Sequence, residues 1–267
     1  MMQLFPKALL HNYNLTELSF DIVLLCSRWR LAISTAKTIP DYQALADIAE
    51  LGLALHGRLV EWARTLPPGF KFIGQSPTIN LMTNWLRPML EGAWAPSSVH
   101  YYPTPVIRML WRSYWVAELI LSQALVFTHT LLQNVPTVHN PLAPVYNEIS
   151  SSLLSAMDRL CESCLSPLAL PPNRTVEGRY KDTIPSLEGY LLLQVLPVLG
   201  LAVDQVCLED VDLSARKAWV YKMGQCIKGH FGLAKAAINT VSTSAGRMDI
   251  QIWGVGTRVG VDASVTR

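Results

Sequence analysis

The stretch from Thr104 to Asn134 constrains this chain more than any other. It carries only Arg108, Arg112 and Glu118 as charged residues, and it opens on Thr104-Pro105, a capping residue followed by proline at the first helical position. Thirty residues of helix span about 45 Å, longer than a peripheral helix needs. So apolar a helix must be covered nearly all round, which predicts a bundle built about it.

Composition agrees. Apolar residues make up 50% of the 267 and charged residues only 16%, against roughly 25% in an average domain, so several helices must be covered on more than one face. The net charge of +2 announces no polyanion partner. No secretory signal is expected from the opening MMQLFPKALLHNYN, and five cysteines without one read as reduced thiols. The apolar runs Leu191 to Val203 and Tyr114 to Phe127 are broken by Gln194 and Pro197 and by Glu118 and Gln123, so buried helices rather than membrane spans are expected.

Further helices follow from periodicity. Thr38 to Leu66 reads as one, with Thr38 and Asp41 as its start and Pro40 in its first turn. Tyr42, Leu45, Ala46, Ala49, Leu53, Leu59, Val60, Ala63 and Leu66 form one stripe, Ile48, Leu51, Leu55 and Trp62 a second, and Pro67-Pro68-Gly69 stops it. Leu18, Ile22, Leu25, Trp29 and Ile33 mark a helix near the amino end; Ile149, Leu153, Ala156, Met157, Leu160 and Cys164 mark another. Ser186 can cap a helix that Pro197 would kink, and Ser214 a last one whose stripe is Val220, Met223, Ile227, Phe231, Ala234 and Ile238. Phe70 to Trp94, Pro136 to Pro144 and Pro167 to Pro185 read as loops. The expected fold is all-α, a multi-helix bundle around a long central helix: a helical domain over 1–245, then a short irregular tail over 246–267 in which Met248 to Trp253 forms a short strand or no regular structure.

No pattern for catalysis, cofactor or metal emerges. Cys161-Glu162-Ser163-Cys164 is half a zinc site, and a structural site wants four ligands. With Cys164 on an apolar stripe, Cys161 and Cys164 read as core thiols. Gly254 to Gly260 misses the dinucleotide register, because Val259 stands where glycine is needed. Histidines 11, 56, 100, 129, 139 and 230 are scattered, and no serine sits in a nucleophile elbow. Glu209 and Asp210 read as a solvated connection, and Trp29, Trp62, Trp115 and Trp219 as core. The expectation is no catalytic, cofactor-binding or metal residues, and no enzyme.

Five phrases, in order, resemble the regulatory region of fungal transcription factors that carry a six-cysteine, two-zinc DNA-binding cluster. They are Arg58-Leu59-Val60-Glu61-Trp62 with Leu66-Pro67-Pro68-Gly69-Phe70; Tyr102, Trp111 and Tyr114, with Trp115 where that family prefers Arg; Leu160-Cys161-Glu162-Ser163; Tyr190 to Pro197, with Gln194-Val195 in place of the family's Trp; and Trp219 through Ala236. The resemblance implies an all-helical effector domain, a nuclear (or cytoplasmic and nuclear) location, and control of transcription, often of secondary-metabolite or nutrient-use genes. It also implies protein partners: a full-length related factor or a homodimer. No six-cysteine cluster or Lys/Arg-rich stretch precedes these phrases, so specific DNA binding by this chain is not expected, nor is membrane association; a small-molecule effector is left open. The other readings are a small-molecule-binding or catalytic helical protein without a transcriptional role, and a remnant of a longer factor.

Overall fold

The computed structural model of the chain describes residues 4–34, 40–77, 87–166, 186–206, 208, 211–231, 247–249 and 260–262. Among these the protein is all-α. Its helices are α1 (Leu4–Ser34), α2 (Tyr42–Thr65), the single turn α3 (Arg87–Leu90), α4 (Pro105–Leu132), α5 (Tyr146–Leu165), α6 (Ser186–Gln205) and α7 (Ser214–Phe231). Strands β1 (Ile73–Gln75) and β2 (Val99–Tyr101) pair antiparallel, with Gly74 opposite His100; β3 (Arg247–Asp249) and β4 (Gly260–Asp262) pair likewise, with Met248 opposite Val261.

The central helix is α4. Thr104 caps it, accepting the Ile107 N–H at 3.2 Å, and α1, α2, α5 and α6 all pack on it. Its length and hydropathy would suit a membrane crossing, yet more than half of that window is buried inside the fold. Helices α1 and α2 form an antiparallel hairpin: the Trp62 indole donates to His11 O at 3.1 Å at one end, and Asp41 N–H donates to Ala32 O at the other. Gly52 lets this hairpin close on α4, because a Cβ there would stand 2.6 Å from Leu125 Cδ2 and 3.4 Å from Leu25 Cδ2. Helices α4 and α5 also run antiparallel, tied by Arg112 to Ser163 and by the stacked rings of His129 and Tyr146. Helix α7 folds back on α6, where Lys217 and Tyr221 both reach Asp204, and it meets α5 through a bidentate Arg216–Asp158 pair at 2.8 and 3.1 Å. Pro197 lies inside α6.

Several expectations need correction. Helix α2 begins at Tyr42, not near Thr38: Asp41 is the cap, its carboxylate accepting the Ala44 N–H at 3.0 Å, and Pro40 precedes the cap instead of entering the first turn. A residue before proline is driven out of the helical region, so the chain turns helical only past Pro40. Thr38 itself lies outside the described residues. Leu51 and Val60, assigned to buried stripes, are half exposed, because α2 is covered by α1 and α4 on only part of its circumference. The loop from Phe70 to Trp94 contains β1 and α3, and the carboxyl-terminal region contains a strand pair instead of one strand or none. Ser214 is the first residue of α7, and Asp212 accepts both its N–H and its hydroxyl. The 245/246 boundary, Ala234, Ile238 and the segment 167–185 lie outside the described residues.

Candidate functional site

Among the described residues, a buried polar cluster sits where β2 meets α5, beside α4. His100 is fully buried, its ring 4.2 Å from that of Phe72 and 5.1 Å from that of Trp115. Its Nε2 lies 2.9 Å from Oε2 of Glu162, a buried residue of α5. Arg159, one turn earlier, donates to the same oxygen at 3.0 Å, and the Ser97 hydroxyl donates to Oε1 at 3.0 Å. On the other side of the imidazole, the Tyr102 hydroxyl is 3.1 Å from Nδ1.

Electrostatics assigns the protons. Burial pushes the Glu162 carboxyl up. Hydrogen bonding from His100 and a neighbouring serine hydroxyl, with the charges of His100 and Arg159, outweighs burial and carries it down to about 2. Burial lowers His100, and Arg159 and Arg112 add repulsion, so Glu162 does not restore its ordinary value. A neutral imidazole fits these surroundings, with Nδ1 accepting from Tyr102 and Nε2 facing the Glu162 carboxylate at 2.9 Å. Burial raises Tyr102 far above an ordinary phenol, so its hydroxyl stays a donor. A histidine oriented by a carboxylate is general-base hardware. Here it faces a phenol that holds its proton, and the ring has no exposed surface. The groups bind one another, joining β2 to α5 across a buried contact.

A second pair lies on the other flank of α4. His56 Nε2 of α2 is 2.9 Å from Glu118 Oε1, with side chains 17% and 6% exposed. The hydrogen bond to Glu118 raises the His56 pKa against the opposing effect of burial, and the charges of Glu118 and Glu148 add to the rise. Glu118 Oε2 has no hydrogen-bond partner among the described residues.

Cys161 and Cys164 are buried in α5; burial raises Cys161 well above its ordinary value and Cys164 to about 11. Between them lie the residues that do bind: Glu162, and Ser163, whose carbonyl accepts from Arg112 at 2.7 Å. Trp29, Trp62, Trp115 and Trp219 are core residues, and three donate their indole N–H across the fold: Trp29 to Thr128, Trp62 to His11 O and Trp219 to Met89 O. His11 sits edge-on to Phe70, and His129 bonds Asn140. Among the described residues no three His, Cys, Asp or Glu side chains are grouped to hold a metal ion. Glu209, Asp210, the His230 side chain and 254–259 lie outside them.

Sequence reasoning missed both His–Glu pairs. Glu118 had a signal, as a lone carboxylate on an otherwise apolar helix face. His100 had none, being 62 residues from its partner and in a segment read only by its neighbours. Compared with protein-family models, curated proteins and solved structures, the chain matches none.

Proposed function

We propose that this chain is a regulatory domain in transcription control that works in the nucleus through protein partners, among them a full-length related factor or a second copy, and not through direct sequence-specific contact with DNA. One observation carries the reading: residues from three of the five resemblance phrases meet on α4. Trp62 stacks on Tyr114 with centroids 5.4 Å apart and planes 18° from parallel. The Trp111 indole donates to Phe70 O at 2.7 Å, and Arg112 donates to Ser163 O. The phrases that resemble one domain thus share one core, as the resemblance requires. Secondary-metabolite or nutrient-use genes are the targets the resemblance favours.

The reading is tested by fusing the chain to an unrelated DNA-binding domain at a reporter promoter in a fungal host. A several-fold change in reporter transcript is expected; a folded, nuclear fusion that leaves the transcript unchanged overturns the proposal. DNA binding is tested separately. Specificity needs side chains carried into a groove, and affinity needs clustered cationic charge, so the purified chain should give no competitor-resistant shift of promoter DNA at physiological salt.

A further inference from the structure

Phe72, at the head of β1, sits in a box of four other rings. Trp111 and Trp115, one turn apart on α4, stand edge-on to it with centroids 5.0 and 5.3 Å away. His100 and Tyr102, at alternate positions of the β2 segment, lie 4.2 and 5.9 Å away. His100, Trp111 and Trp115 are buried, yet Phe72 is only half-buried. The ring in the middle thus reaches solvent that three of its walls do not.

The walls are braced without it. Trp111 is fixed by its indole bond to Phe70 O and packs against Trp115 at 5.3 Å, and His100 is held between Glu162 and Tyr102. Phe72, by contrast, is followed by Ile73, Gly74 and Gln75, all exposed, so its own ring and the short pairing with β2 anchor the segment. A turn about χ1 carries a half-exposed ring to solvent without moving the backbone. It opens a space of benzyl size walled by rings, and an apolar cavity of that kind takes up an aromatic molecule.

Lys71 says what else the occupant carries. Its backbone N–H donates to Pro68 O; among the described residues its ammonium meets only Ala63 O, at 2.6 Å, and the Trp111 ring, 5.9 Å from the centroid. A full positive charge beside the box therefore has an uncharged acceptor, and a carboxylate brought there gains a charge-assisted bond.

We propose that the box is a binding site for an aromatic carboxylic acid. Phe72 closes it at rest and swings out; the acid's ring takes its place against Trp111, Trp115, His100 and Tyr102, and the carboxylate meets Lys71. The site stands on this geometry, and only its use as the effector site of a regulatory domain rests on the function proposed above.

Phenylacetate is the probe, because it is the Phe72 side chain carrying a carboxylate; phenylacetamide is its uncharged twin. NMR titration of the full chain, following the tryptophan indole N–H signals, is expected to give a Kd of about 1 mM for phenylacetate. Trp111 and Trp115 should shift, and phenylacetamide should bind several-fold more weakly. A site blocked by its own side chain binds with an affinity reduced by its open fraction, so Phe72→Ala should bind about tenfold tighter. Lys71→Met should erase the preference for the acid. If Phe72→Ala fails to fold, Phe72→Val serves instead; if both fail, the ring is structural and the proposal falls. It falls too if the wild-type chain takes up no phenylacetate at about 10 mM, or if loss of the Phe72 ring leaves the affinity unchanged or lower. Unmoved Trp111 and Trp115 signals, acid and amide bound alike, or a preference that survives Lys71→Met overturn it equally. A chain that binds yet gives an inert reporter would sink only the transcriptional reading; a responsive reporter on a chain that binds nothing would sink the site alone.

Discussion

The pairs His56–Glu118 and His100–Glu162 flank the same central helix at the same 2.9 Å separation, yet their histidines shift in opposite directions. Beside His56 of α2, the Glu118 carboxylate has one partner among the described residues, so its full attraction falls on His56, which also keeps some solvent. At β2 the carboxylate is shared with Arg159 and Ser97, the imidazole is fully buried, and two arginines oppose a second positive charge. A glutamate beside a histidine thus sets no direction by itself. What decides is how many other donors the glutamate serves and how much water the ring keeps.

The sharpest way to break this comparison is to neutralise each carboxylate. Glu162→Gln is expected to cost about 3 kcal/mol of unfolding free energy, since it strips the charge that holds Arg159 and His100. Glu118→Gln removes one pair from an atom set already half unpartnered, and should cost about 1 kcal/mol. Urea unfolding at neutral pH measures both; equal losses would mean that partner number does not distinguish the sites.

A pH series comes next. His56 is raised in the folded state, so its contribution is fully present below 6.5 and fades as pH rises through the higher folded value. His100 is lowered, so its contribution is present above 6.5 and fades as pH falls through the lower folded value. Glu162 adds to acid sensitivity, its contribution being lost as pH falls from 4.5 toward about 2. The stability deficit of His56→Gln should therefore widen on acidification through 6.5, and that of His100→Gln should narrow. Parallel trends would contradict the opposite shifts. The smallest effect is expected for Tyr102→Phe, about 0.5–1 kcal/mol. Without the phenol donating to Nδ1, the neutral ring loses its support, and His100 should titrate at higher pH by NMR than in the wild type.

What the sequence revealed and what it hid divide along the range of the interactions. Helix α4 was legible because its signals are local: Thr104-Pro105 at the start and three charges in the whole run. The stripes of α1 and α5 were legible for the same reason, and each of their named residues is buried. The start of α2 was misread because Thr38 and Asp41 both satisfy a capping pattern, and only the position of Pro40 separates them. Strands of three residues, such as β1 and β2, have too few alternations to register. In Cys161-Glu162-Ser163-Cys164 the thiols drew the chemical reading, while the residues between them make the bonds, to partners 51 and 65 residues away.

The position of α4 in the chain has a consequence for synthesis on the ribosome. The α1–α2 hairpin is complete at Thr65, but the wall it packs on is finished only at Leu132, and the Trp29–Thr128 hydrogen bond spans 99 residues. At ~5–20 residues per second the interval is roughly 3–13 s. Throughout it the nascent hairpin shows the exit vestibule two bare faces: Trp29 and Leu25 awaiting α4, and Phe20, Leu24 and Leu31 on its outer side. A chaperone that grips emerging apolar helices would meet this hairpin before any of its own partners does.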